Sequence, residues 1–543
     1  MQPTNQQQLI LDHTGNAVVI AAPGSGKTYV VSEKVRTLLK GYAPYQGVIA
    51  ISYTKKASGE LKERCLKNGF DPKSSFFGTI DKFYLGEIII PFGKHIWKTS
   101  ETEFSVPAIK DMDEIERKNL EWVNSEYLPS QVSDEQMDML KVFFVSGTIP
   151  LEAVGVLANY IFDRSKACGK YLKARYRAVF IDEYQDCGVN QHALFEKIVS
   201  LGITGVAVGD LNQSIYAFSG KSSIYLSQLT RQKNYKTFKL DKNHRCDNSI
   251  INYSNYLLDP SIAALPAQNM MVKSYRIEGN EADIARWMDK MIALFNARGI
   301  VNNQIVILTR YSRTATLISN NLLTSHKIIE TTDLDTSLTI WSGIFANLLR
   351  FAFDPTFRFL EVVNDFIALE KLTIPRRQQL VNFRENIRTL FSAAQLDGAT
   401  IVPLFIEVAT FLAPKGKNNE AIRLLNQIFT LPSLLEGYKP SNITDVNIMT
   451  LHKSKGLEFD IVFHLDLHEW VFPKKKPGDN NDFKNPVFED YQQDLNLHYV
   501  GITRARKCCL LVSSTQRTNA VGEIKNGVDS EFLYHEGIDK LRV

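Results

Sequence analysis

The sequence predicts an α/β protein made of two doubly wound parallel-sheet domains, each carrying a mostly helical insertion. Three observations predict it. Short runs of Val, Ile and Ala recur through both halves of the 543 residues and end in polar or glycine-bearing segments. Helical patterns lie between several of these runs. Two long stretches break the rhythm. A strand covered by helices on both faces has no solvent side, so it reads as a continuous apolar run rather than an alternation.

The expected strands are Ala17–Ala22, Val48–Ser52, Ala178–Ile181, Gly205–Val208, Gln304–Leu308, Asp460–Leu465 and Cys508–Val512. Helical periodicity marks Tyr29–Leu39, Ala57–Lys67 and Glu281–Phe295 between them. Alternation of β and α elements argues for doubly wound sheets. Residues 86–174, with the charged run Asp111–Glu121, and 331–440, from Ile340–Phe353 through Ala421–Leu435, read as helical insertions. They leave 1–85 with 175–238 as one domain, and 239–330 with 441–543 as the other. Lys474–Asn485 (KKKPGDNNDFKN) is expected to be a polar loop.

Composition narrows the class. A hydrophobic fraction of 44% and a charged fraction of 22% are those of a globular protein, not a disordered or fibrous one. The net charge of +4 permits nucleic-acid binding only through a local basic track. The six cysteines, Cys65, Cys168, Cys187, Cys246, Cys508 and Cys509, form no CxxC and have no zinc-like His spacing, which predicts reduced, buried thiols. Met1–Gln8 is polar, without a basic start or an apolar stretch, and no apolar run nears the ~20 residues that span a bilayer. The expectation is a cytoplasmic protein without a membrane partner.

The strongest local signal is Ala17–Thr28, AVVIAAPGSGKT: a strand, a glycine-bearing loop, then a helical pattern. Gly24 and Gly26 let backbone amides and a helix N-terminus approach phosphates. Lys27 would reach the β- and γ-phosphates of ATP, and the Thr28 hydroxyl would hold Mg²⁺. The strict pattern wants Gly at position 21, where Ala21 stands. A second strand ends in AVFIDEYQD, whose adjacent carboxylates Asp182 and Glu183 suit a Mg²⁺ ligand and a water-activating base. Gln213, Arg245 and Arg504 are candidates for the γ-phosphate sensor and for positive charge at the transition state.

Taken in order, these segments resemble superfamily 1 DNA helicases of the UvrD/Rep/PcrA type, over most of the two α/β halves. Gln7, ahead of the loop, looks like the family's adenine-reading glutamine. SYTKKAS (Ser52–Ser58) is similar to TFTNKAA, GTIDKF (Gly78–Phe83) to GTFHSF, and IDEYQD to the DExxQD acidic motif. VGDLNQSIYAFSG resembles VGDxxQSIYxWRG, LDKNHR resembles LxxNYR, NIMTLHKSKGLEF (Asn447–Phe459) is close to VxLMTxHxAKGLEF, and LHYVGITRAR (Leu497–Arg506) to LxYVGxTRA. Ala21 is normal in this family.

The resemblance implies two RecA-like domains closing on one ATP. Ala22, Pro23, Gly24, Ser25, Gly26, Lys27 and Thr28 would cradle the nucleotide, with Gln7 at the base and Glu458 at the sugar. Asp182 and Thr28 would hold Mg²⁺, Glu183 would activate water and Gln213 would sense the γ-phosphate. Arg245 and Arg504 would be arginine fingers from the second half. Tyr53, Tyr216 and Phe218 stand where aromatic rings meet single-stranded bases, and Thr79 and His452 where phosphates are contacted. Stacking is sequence-tolerant, which suits a motor moving along any strand.

Departures from the pattern bear mainly on DNA. Phe218 stands for Trp, Ser219 for Arg, Asp81 for a DNA-contacting His, and His244 for the Tyr that stacks on adenine. QDLNL (Gln493–Leu497) replaces EERRL. The short insertions, together with FFGTIDKFYLGEIIIPF (Phe76–Phe92), resemble the helicase-like subunit of Gabija-type anti-phage systems. That resemblance implies a hetero-oligomer with an OLD-family nuclease carrying a TOPRIM domain. Two functions stay open: a DNA-dependent ATPase translocating 3′ to 5′ on single-stranded or partly single-stranded DNA, or a nucleotide- and DNA-sensing subunit that licenses a partner nuclease. A transporter or AAA-type ATPase is disfavoured, because there is no LSGGQ-like segment and both arginines lie in the same chain.

Overall fold

The computed structural model describes the chain except for residues 1–2, 53–54, 67–69, 102–103, 214–222, 330–331, 338, 356, 364–365, 367–371, 394, 480–481 and 520. It forms two compact units. One comprises Met1–Phe83, Lys166–Ile329 and Ser441–Val543; the other comprises Tyr84–Ser165 and Glu330–Pro440.

The first unit contains two six-stranded sheets in which every pairing is parallel. The N-terminal sheet uses β1 (Ala17–Ala21), β2 (Gly47–Ile51), β3 (Phe76–Gly78), β4 (Tyr176–Ile181), β5 (Thr204–Gly209) and β6 (Lys236–Leu240), in the order β3-β2-β4-β5-β1-β6. The second uses β7 (Val272–Ile277), β8 (Ile305–Thr309), β9 (His326–Ile328), β10 (Val446–Thr450), β11 (Phe459–His464) and β14 (Ala505–Ser514), in the order β7-β14-β11-β8-β10-β9. This is the two-domain RecA-like α/β architecture.

Alternate residues of one strand reach opposite faces, and on the second sheet both faces are dry. Val306 and Leu308 of β8 pack with Ile250, Tyr253 and Leu511 on one side. Ile305 and Ile307 pack with Ile284, Met288 and Phe463 on the other. The continuous apolar runs follow from this double cover. In the N-terminal sheet, Val19, Phe180, Val206 and Val208 share a core with Val30, Val31 and Val35 of the helix α2 (Lys27–Lys40).

The second unit is largely helical. The helices Ile340–Phe353, Ile374–Phe391, Gly398–Leu412 and Asn419–Thr430 surround a core that includes Trp341, Phe345, Phe383, Phe405 and Leu425. Among the described residues, no helix is long and apolar enough to cross a membrane.

One expectation is corrected. Lys474–Asn485 is not simply a loop: β12 (Lys475–Gly478) pairs antiparallel with β13 (Asp482–Phe488). Phe483, Val487 and Phe488 supply the β-favouring residues.

Candidate nucleotide site and nucleic-acid track

The loop after β1 is shaped for close approach. Gly24 and Gly26 hold φ of +68° and +86°, a region that side chains with a Cβ rarely adopt. A Cβ on Gly24 would lie 2.5 Å from both Arg245 Cβ and Asn243 Oδ1. On Gly26 it would meet Gln7 Nε2 at 2.8 Å. Ala22 is tied to β6 (Ala22 N to Leu240 O, 2.8 Å), and Ser25 turns back on Ala22 O through its hydroxyl at 2.7 Å. Pro23 is buried between them. The 14-residue α2 then starts at Lys27, with Thr28 half-buried in its first turn. Free amides at a helix N-terminus favour an anion.

Opposite the loop, β4 ends in the acidic pair. Lys27 Nζ lies 3.4 Å from Glu183 Oε1. Burial works against the Lys27 charge, but the carboxylates of Glu183, Asp210 and Asp182 outweigh it and hold the ammonium above its ordinary pKa. Burial pushes the other way on Glu183, yet Lys27, Lys455 and the Gln185 amide bring its carboxyl down to about 2. Glu183 is therefore ionised at neutral pH. Burial, then the neighbouring Glu183, raises Asp182 to about 6. Glu183 also sits in the left-handed region at φ +56° without being glycine. Such strain costs of order 1–3 kcal/mol and marks positions where side-chain placement outweighs backbone comfort. Gln185 fixes that placement: its Nε2 donates to Glu183 Oε2 (2.5 Å) while its Oε1 accepts from Asp210 N (3.0 Å) at the end of β5.

The second sheet reaches the same place. Lys455, in the turn after β10, places Nζ 2.5 Å from Asp186 Oδ2, 2.9 Å from Gln213 O and 3.9 Å from Glu183 Oε2. His244 N donates to Gly24 O at 2.9 Å. Four carboxylates (Asp182, Glu183, Asp186, Asp210) thus surround two ammonium groups, with Asp186 Oδ1, Asp210 Oδ2 and Gln213 Nε2 buried and unpartnered among the described residues. Such an acidic excess fits a divalent cation. Among the described residues no three His, Cys, Asp or Glu side chains converge as a self-sufficient metal site. The donors available suit a site completed by phosphate oxygens, as Mg²⁺ prefers, to which Thr28 and Asp182 could contribute oxygens.

The arginines are placed differently from one another. Arg245 Nε lies 2.6 Å from Glu458 Oε2, and Arg506 Nη1 lies 3.5 Å from Glu458 Oε1. Arg504 is fully buried and donates to Val500 O (3.0 Å), Leu457 O (3.1 Å) and Thr503 Oγ1 (3.3 Å); burial and nearby Arg245 lower it to about 10. Both expected fingers, and the expected sugar contact Glu458, are thus engaged within the protein. Gln7 is buried and donates to Ser25 O at 3.1 Å.

Of the expected DNA contacts, Tyr53, Tyr216 and Phe218 lie outside the described residues, as does Ser219. Thr79 is half-buried at the start of the helix Ile80–Phe83. His452 sits in the Leu451–Ser454 turn, three residues before Lys455. Burial, then Arg310 and Lys455, lowers it to about 4, so a phosphate would meet a neutral imidazole. Sequence reasoning missed Lys455, Asp186, Asp210 and Gln185, although all four lie within the quoted motifs. It also missed the use of Asp494: the carboxylate in QDLNL pairs with Arg310 (3.0 Å) and accepts from Lys474 N (2.6 Å).

A phosphate-binding loop facing a strand-end carboxylate, with a second sheet of the same fold meeting it, defines a nucleotide-dependent helicase-type protein. Residues 370–517 match the UvrD-like helicase C-terminal domain, and residues 6–219 match a family described as an AAA domain. The match to the UvrD-like helicases takes in β10, β11 and β14 and the helices Ile374–Phe391, Gly398–Leu412 and Asn419–Thr430 of the second unit. The AAA-domain match takes in β1 to β5 of the N-terminal sheet and the helical stretch between β3 and β4, and ends before β6 and the second sheet. The Gabija protein GajB of Bacillus cereus (strain VD045) is 24% identical over 94% of this chain and 96% of its own length. The ATP-dependent DNA helicase PcrA of Staphylococcus aureus (strain NCTC 8325 / PS 47) is 22% identical over 98% of this chain and 85% of its own. The ATP-dependent DNA helicase Rep of Escherichia coli (strain K12) is 22% identical over 99% and 94%.

Proposed function

We propose that this chain is an ATP- and Mg²⁺-dependent DNA translocase that moves 3′ to 5′ on single-stranded DNA and works with a TOPRIM-bearing nuclease in anti-phage defence. One observation carries the ATPase reading: Lys27 and Glu183 meet at 3.4 Å, and Lys455 of the second sheet reaches Asp186 beside them. In this reading the glycine loop and Lys27 bind phosphates, Thr28 and Asp182 hold Mg²⁺, and Glu183 orients and deprotonates the attacking water. Gln213 senses the γ-phosphate, and Arg245 and Arg504 swing onto it when ATP replaces their internal partners. The sheet-bearing segments act as the motor domains, with 86–174 and 331–440 as their insertions. DNA-stacking roles for Tyr53, Tyr216 and Phe218, the 3′-to-5′ polarity and the nuclease partner rest on family likeness, the last on the GajB match.

A second reading, a sensing subunit with little unwinding of its own, draws support from Arg504, whose Nε, Nη1 and Nη2 each donate to an acceptor within the second sheet's own segments. Strand displacement by the purified chain, followed by co-purification with a co-expressed TOPRIM nuclease, separates the two. Displacement that needs ATP and stops in Glu183→Gln supports the motor. ATP turnover without displacement, together with stable nuclease capture, supports the sensor. Absence of nucleotide binding would overturn both.

A further inference from the structure

Lys34, on α2, is only 3% exposed, yet it belongs to no part of the reaction described above. Its Nζ donates to Ile10 O (2.8 Å), Leu11 O (3.3 Å) and His13 O. An ammonium has three hydrogens and no acceptor, so every donor is spent on main-chain carbonyls. Those carbonyls close the helix α1 (Asn5–Asp12), and the last carbonyls of any helix lack partners within it. The eight-residue α1 is short enough to be marginal alone. It has no basic residue in its last turn, and it ends on Asp12, whose charge has the wrong sign for that end of the dipole. Lys34 supplies the missing cation from another element.

The other end of α1 leads to the phosphate loop. Gln7 Oε1 accepts from Thr4 N at 2.9 Å, the Gln7 backbone N–H donates to Thr4 Oγ1 at 3.3 Å, and the side-chain amide Nε2 donates to Ser25 O at 3.1 Å. Gly26 lies against the same amide, too close for a Cβ. The loop continues covalently into α2, and Lys34 follows Lys27 by about two helical turns. The contacts therefore close a ring: phosphate loop, α2, Lys34, α1, Gln7, and back to the loop. Ile10, 1% exposed, and Leu11 seat α1 on the core of the N-terminal sheet, Gln6 Nε2 donates to Asp241 Oδ1 at 2.6 Å, and Lys34 and Gln7 add the ties to α2 and to the loop.

We propose that Lys34 is a positioning residue of the nucleotide site: by capping α1 it holds Gln7 against Ser25 and sets the loop's affinity for a triphosphate. The proposal rests on the reading that this loop binds ATP. It says nothing of the base, because the loop geometry meets the phosphates.

The test uses the full chain with Lys34→Met, which keeps the aliphatic stem, Lys34→Arg, which keeps donors, and Gln7→Ala. Lys34→Met should raise KM for ATP about tenfold while kcat at saturation stays within about twofold, the pattern of lost uniform binding. Equilibrium binding of a fluorescent ATP analogue, competed with inorganic tripolyphosphate, should weaken by the same factor. Lys34→Arg should recover most of the loss. Measured with tripolyphosphate, which has no adenine for Gln7 to read, the Lys34→Met/Gln7→Ala double variant should be little worse than either single, since both break one ring. Additive effects, or unchanged triphosphate binding in a folded Lys34→Met, would overturn the proposal. If Lys34→Met does not fold, Lys34→Gln is measured in the same cycle under the same criteria. Lys27→Ala separates the premise: if wild type and Lys27→Ala bind triphosphate equally, the nucleotide reading itself has failed.

Discussion

Glu183 shows how one residue concentrates the chemistry. Its backbone is held in a strained conformation, and its carboxylate is aimed by Gln185 and flanked by Lys27 and Lys455. A carboxyl brought down to about 2 is a poor bulk base. Its value lies in being charged, placed and able to accept a hydrogen bond from water. Glu183→Gln keeps an oxygen for the Gln185 donor, removes the charge and turns the other acceptor, beside Lys27, into an amide donor. It should bind ATP with wild-type affinity and lose turnover by about 10²–10⁴-fold, the usual worth of a positioned general base. Turnover at the wild-type rate would remove Glu183 from that role. Lys27 and Glu183 were legible in the sequence because a strand, a glycine loop and a helix are contiguous. Lys455 was not, because its partner Asp186 lies 269 positions away and no spacing rule encodes such a pair.

At the scale of elements, the seven apolar runs each became a strand, because double burial writes itself into composition. The five strands of the two sheets that escaped notice did so for physical reasons. β3 and β9 have three residues each, β6 and β7 at sheet edges are partly exposed, and the buried β10 is an apolar run broken by Asn447. The exit of β11, His464-Leu465-Asp466-Leu467-His468, hides a different pattern: polar residues alternate there, yet all three are largely buried. Burial pushes His464 and His468 down to about 4 and Asp466 up to about 6. The signs oppose. A histidine with a depressed folded pKa contributes stability that is present above about 6.5 and is lost as pH falls toward 4. A carboxyl with a raised folded pKa gains stability as pH falls from about 6 toward 4, since the folded state prefers it protonated. Asp466→Asn should therefore steepen the fall in thermal midpoint between pH 6 and 4.5, and His464→Asn should flatten it. Each unbalanced proton is worth at most about 1.4 kcal/mol per pH unit. Parallel midpoint–pH curves for wild type and both variants would refute the assignment.

At the scale of the whole molecule, what matters is that two sheets from one polypeptide share a single site, so a short turn can carry both signals. The segment between β10 and β11 places His452, Lys455 and Glu458 within seven residues. His452 is the proposed strand contact, Lys455 bridges to Asp186 and to the Gln213 carbonyl, and Glu458 holds Arg245. If single-stranded DNA acts on ATP hydrolysis, this turn is the shortest physical route, because movement at His452 shifts the ammonium beside Glu183. Lys455→Gln should then leave single-strand affinity within about threefold, since the phosphate contacts that set it lie elsewhere on the track. The ratio of DNA-stimulated to basal turnover should fall toward one. His452→Ala should do the reverse, weakening the strand while basal turnover persists, and saturating DNA should restore stimulation. Coupling of this kind is an energy shared between two sites, so ATP must also tighten or loosen DNA in the wild type and do so less in Lys455→Gln. Measuring strand affinity with and without a non-hydrolysable ATP analogue, alongside turnover with and without DNA, tests both directions on one preparation. Full stimulation and unchanged nucleotide-linked affinity in a folded Lys455→Gln would route the coupling away from this turn.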